Sequence, residues 1–76
     1  MTAQSPVFYD PSTDSMYVTL GPGPAARQRV EDDRDLVIDL DAEGRPVGYD
    51  IQFASQHMDV VEEALRLLRR SATRAA

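Results

Sequence analysis

Up to Phe53 the chain alternates apolar and polar side chains in short runs, and from Ser55 onward the apolar spacing lengthens to three and four. Alternation places successive side chains on opposite faces of a strand, whereas the longer spacing lines one face of a helix. Val7-Phe8-Tyr9 opens a first strand and Met16 to Leu20 a second, with Met16, Val18 and Leu20 on one face and Tyr17 and Thr19 on the other. Between them Asp10-Pro11 starts a turn, since proline presets φ and an aspartate side chain can bond its own backbone. Gly21-Pro22-Gly23-Pro24 stops the second strand, because each proline lacks a ladder donor. Ala25 to Val30 is a weaker strand with Arg27 and Arg29 on one face, and Glu31 to Asp35 forms a solvated turn.

The strongest hairpin follows. Leu36 to Leu40 alternates, Asp41 to Arg45 makes the loop with Gly44 free to take a left-handed φ, and Pro46 to Phe53 returns. Val47, Tyr49, Ile51 and Phe53 share one face of the returning strand, and Gly48, Asp50 and Gln52 share the other. Burying Leu36, Ile38 and Leu40 with Val47, Tyr49 and Ile51 requires even positions to pair with odd ones, because a slip of one residue flips a face. A loop of four residues sets Ile38 opposite Val47, and one of six sets Leu40 opposite Val47.

In the helical stretch Met58, Val60, Val61, Ala64, Leu65, Leu67 and Leu68 fall in one half of the wheel. Asp59, Glu62, Glu63, Arg66, Arg69 and Arg70 fill the other, acids leading and arginines trailing as the helix dipole favours. Ser55 or Asp59 is the expected N-cap. The fold class is α+β: an antiparallel meander of four or five strands with one C-terminal amphipathic helix on its apolar face. One domain spans 1–76, with 1–6 and 71–76 expected to fray.

Composition narrows the chemistry. At 76 residues the chain supports one modest core, which excludes a second domain and a deep, lidded active site. Eight Arg against thirteen Asp and Glu leave a net charge of −5, which argues against nucleic acid as the main partner. The arginines Arg66, Arg69, Arg70 and Arg74 are locally basic, but no aromatic side chain interleaves with them to stack on bases. With no cysteine there is no disulfide, thiol nucleophile or thiolate metal site. No run reaches the ~18 apolar residues of a membrane span, and Met1 to Pro6 lacks the basic and apolar regions of a secretory signal. A cytoplasmic protein without a membrane partner is the expectation.

Two blocks carry a family likeness. Tyr9-Asp10-Pro11 with Asp14-Ser15-Met16-Tyr17-Val18, and Val37-Ile38-Asp39-Leu40-Asp41 with Gly44, Val47-Gly48, Ile51 and Ala54-Ser55, resemble the domain-of-unknown-function family 2283 of small prokaryotic proteins. The resemblance covers about residues 8 to 55 and implies a β-rich protein with no established activity and no catalytic residue to carry over. It also carries a hint of an antitoxin role beside a small toxin.

Four carboxylates mimic a calcium loop: Asp39, Asp41 and Glu43 at places one, three and five, Gly44 at six and Asp50 at twelve. Against it, the flanks alternate as strands where that loop needs helices, and Pro46 intrudes. The hairpin is preferred, with Asp39, Asp41, Glu43 and Asp50 kept as the alternative metal or ligand site. His57 stands alone, with Ser55, Asp59 and Gln52 as neighbours in sequence and no second histidine, so a loop hydrogen bond is expected. Gly21 to Pro24 cannot cradle a phosphate, since its prolines remove amide donors. No catalytic residue and no cofactor are expected.

The helix supplies the remaining signal. Its apolar arc exceeds the ~100° stripe needed against one sheet. Either a curved sheet wraps the arc or an edge of it meets a second chain, and small cores are often completed by oligomerisation. The edge pairs are Val60 with Leu67 and Met58 with Leu65; the first is the expected homodimer contact. The function expected is a non-enzymatic, self-associating protein-interaction module, with an antitoxin-like role and the hairpin ligand site as alternatives.

Overall fold

The computed structural model describes residues 5–75. Strands β1 (Val7–Asp10), β2 (Ser15–Thr19), β3 (Arg27–Glu31), β4 (Leu36–Leu40) and β5 (Pro46–Ile51) precede helix α1 (Met58–Ala75), with 3-10 turns at Asp32–Arg34 and Ala54–Gln56. All neighbouring strands are antiparallel, in the order β1-β2-β5-β4-β3. The α+β architecture holds, with one departure from sequence order: β2 pairs with β5 rather than with β3. A hairpin (β1-β2) and a three-strand meander (β3-β4-β5) are joined by the Gly-Pro segment, which carries the chain to the far edge. β5 takes the centre because Val47, Tyr49 and Ile51 are all buried, and Pro46 is tolerated at its first position.

Leu36 faces Ile51 and Ile38 faces Tyr49, so even positions pair with odd as the burial pattern demands. That register points Leu40 toward Val47, but an irregularity between Asp39 and Leu40 sets Leu40 opposite Pro46. A bulge of this kind leaves one residue unpaired on its own ladder. Val47 is then bound from the other side, where its carbonyl accepts the amides of Leu20 and Gly21. Gly44 closes the loop at φ 83° and donates to the Asp41 carbonyl.

Val18, Leu20, Leu36, Ile38, Leu40, Tyr49, Ile51 and Ala54 form the core with Val60, Val61 and Ala64 of α1. The helix is rotated from the expected setting. Val60 is 0% exposed, and Leu67 and Leu68 pack partly against the same cluster. Four further expectations need correction. β5 ends at Ile51, and Phe53 leaves the strand at φ 52° with its side chain half exposed. Neither Ser55 nor Asp59 caps α1; the His57 carbonyl accepts from Val60 and Val61 at its start. The helix continues through Ala75 where fraying was expected, and Ser71 Oγ donates to the Leu20 carbonyl at 2.8 Å. Pro6 is also engaged, accepting from the Thr19 amide; Met1 to Gln4 and Ala76 lie outside the described residues.

Candidate functional site

The four carboxylates of the hairpin do not converge. Asp39 accepts from Tyr17 Oη and Gln28 Nε2, and Asp50 accepts from Gln52 Nε2. Asp41 accepts the amides of Glu43 and Arg45, and Glu43 pairs with the Arg45 side chain. Backbone donors on Asp41 hold its carboxyl below the usual range, the Arg45 amide contributing most. Among the described residues no three acids or histidines gather as a metal cluster would need.

His57 is tied to Asp35, with Nε2 and Oδ2 3.0 Å apart, and not to Ser55, Asp59 or Gln52. Asp35 adopts φ 48°, which turns the chain from the 3-10 turn into β4. Nothing in the linear spacing announces this partner, because the two lie 22 residues apart. A second network was also hidden in the sequence. Arg34 bridges Glu31 and Glu63, and Glu63 accepts the Tyr49 hydroxyl at 2.6 Å. That hydroxyl and the arginine hold the Glu63 carboxyl below its ordinary value. The network pins the middle of α1 to the core and to the turn before β4.

A groove of about 610 Å³ lies between the Gly-Pro segment, the base of the β4-β5 hairpin and the C-terminal part of α1. Leu20, Val47 and Leu67 line it with Arg45 and Arg70. Of its polar groups, Asp41, Arg45 and Ser71 are bonded within the chain.

The two sequence blocks meet at Asp14. This residue sits at φ 54° at the end of the β1-β2 turn, a conformation that aspartate tolerates better than most side chains. Its carboxylate accepts Tyr9 Oη at 2.8 Å and Ser55 Oγ at 2.7 Å, and its carbonyl accepts the Ala54 amide. Ser55 is the leading cause of a lowered Asp14 pKa, with Tyr9 next. The turn after the first strand is thereby clamped to the turn before the helix. The model of a family described as protein of unknown function (DUF2283) matches residues 7–55. The chain belongs to that family. The DUF2283 match begins at β1 and ends at Ser55, so it contains every partner of this clamp. A search of curated proteins and a search of solved structures each found no match.

Of the expected interface residues, Val60 is enclosed in its own core and has no surface for a partner. Leu67 and Leu65 are half-buried against that core, and Met58 is 55% exposed. The pairing of Val60 with Leu67 as a contact is thus overturned by the rotation of the helix. Besides Met58, Phe53 and Tyr9, exposed apolar side chains stand on the face of the sheet turned away from α1. Phe8, Tyr17, Asp50, Val37 and Val30 stand there in one row across all five strands. Phe8 and Val30, on the two edge strands, are 66% and 60% exposed. Among the described residues no helix is long and apolar enough to cross a membrane.

Proposed function

We propose that the chain is a non-enzymatic interaction module that works by self-association. The observation that carries this reading is the uncovered sheet face, whose apolar side chains reach both edges while α1 covers only the opposite face. Antiparallel sheets can leave one face in water, but such faces are ordinarily polar. A Phe and a Val at the edges instead offer surface that a second chain would remove from water. The acidic, cysteine-free composition suits a bacterial cytoplasmic protein, where no disulfide could hold the assembly. Sedimentation equilibrium tests the reading. A mass rising from 8.4 kDa toward twice that value with concentration supports it; a monomer at high-micromolar concentration refutes it.

A further inference from the structure

Strand β3 is an edge of unusual character. All but the last of its residues are exposed, its ladder to β4 runs unbroken from Arg27 to Glu31, and neither proline nor glycine interrupts it. Edge strands present unpaired N–H and C=O groups and are normally blunted by proline, bulges or charge. The other edge, β1, is bracketed by Pro6 and Pro11. On β3 only charge could serve as the guard, and that charge has an ordered pattern. Arg27 and Arg29 precede Val30; Glu31, Asp32 and Asp33 follow it.

We infer that β3 pairs antiparallel with β3 of a second copy about a two-fold axis at Val30, joining two sheets into one. The inference rests on the self-association proposed above and places the contact at the β3 edge. A two-fold contact must be self-complementary, each residue meeting its mirror in the sum of positions. Centred on Val30, that rule sets Val30 on Val30, Arg29 on Glu31, Gln28 on Asp32 and Arg27 on Asp33, the last two meeting the acidic 3-10 turn. Opposite charges face each other on both sides of the axis, and cross-strand pairs of this kind are favourable. Centred one residue earlier, Arg29 would meet its own copy and repel. The charges therefore guard the edge against other strands and against other registers while admitting this one.

The two arginines are loosely held within their own chain. Arg29 reaches Glu31 of its own chain only at 3.8 Å, and Arg27 makes one long hydrogen bond, 3.5 Å, to the Ala42 carbonyl. Glu31 remains held by Arg34, which fixes its carboxylate at the strand end where the second copy's Arg29 arrives. Val30, exposed beside Val37 on the bare face, gains its own copy as a cross-strand neighbour.

Three variants at exposed positions test this, each checked for retained structure by circular dichroism. Val30→Glu brings two acids together at the axis. Arg27→Glu places acid on acid, and the double change Asp32→Lys with Asp33→Lys places base on base. Each should weaken the dimer about tenfold or more, as like charges directly opposed across strands do. Mixing Arg27→Glu with the Asp32→Lys, Asp33→Lys chain should restore wild-type association, since every pair across the axis is then opposite in sign. Dimers that persist in all three variants would place the interface elsewhere and leave self-association standing. Monomeric variants with no rescue on mixing would overturn the Val30 register. A monomeric wild type would remove both the reading and the surface.

Discussion

Each tyrosine hydroxyl is given to a carboxylate: Tyr9 to Asp14, Tyr17 to Asp39 and Tyr49 to Glu63. All three phenols are consequently raised. Tyr17 is pushed up to about 12, first by burial and then by its bond to Asp39. Tyr49 is raised by burial first and by Glu63 second, and Tyr9 by its bond to Asp14. A group whose folded pKa exceeds its unfolded one contributes stability in full below the unfolded value and loses it as pH rises through the folded one. Absorbance titration of the folded protein should therefore show Tyr17 and Tyr49 ionising well above the ordinary value of 10.0, with Tyr9 shifted in the same direction. A full phenol titrating at the ordinary value would contradict these bonds. Tyr17 also lies over Gly48, where an added Cβ would stand 1.9 Å from its hydroxyl oxygen. Gly48→Ala should expel the ring and break its bond to a charged partner, costing ~1.5–3 kcal/mol in denaturant unfolding. In a Tyr17→Ala background the same change should cost much less. Equal costs in both backgrounds would show that the ring is not what the glycine accommodates.

At the scale of elements, β5 and α1 decide the fold. Periodicity in the sequence identified β4, β5 and the helix, because most of their apolar residues are buried or half-buried. It overextended β5 to Phe53, since side-chain type cannot reveal the left-handed backbone there. It also misplaced the helix by one edge of its arc: a wheel shows how wide the apolar face is, not which part of it meets a sheet whose strand order is unknown. Val60 shows the consequence. Val60→Glu should bury an uncompensated carboxylate at a cost of ~3–5 kcal/mol, a large share of the ~5–15 kcal/mol that holds a domain folded. Met58→Glu, at an exposed site of the first turn, should leave the melting temperature within a few degrees of wild type. A folded, monomeric Val60→Glu variant would show instead that this edge of the helix is an interface. The clamp at Asp14 was legible only in part. Its two halves stood in the family blocks, but their meeting depends on β2 lying beside β5, which no local pattern encodes.

The whole molecule is a two-layer object with a covered face, a bare face and two unlike edges. Helix α1 and the networks at Asp14 and Glu63 account for the covered side, and the prolines flanking β1 for one edge. The β3 edge has no counterpart within the chain, and a second copy supplies one that matches the order of charge around Val30. The pairs at the β3 edge are solvent-exposed, so added salt should weaken the association. Amide hydrogen exchange, resolved by residue and followed on dilution, tests the claim most directly. If β3 joins two copies, alternate amides between Arg27 and Glu31 gain protection at high concentration and lose it on dilution, while those of β4 and β5 keep theirs. Protection along β3 that does not change with concentration would contradict it.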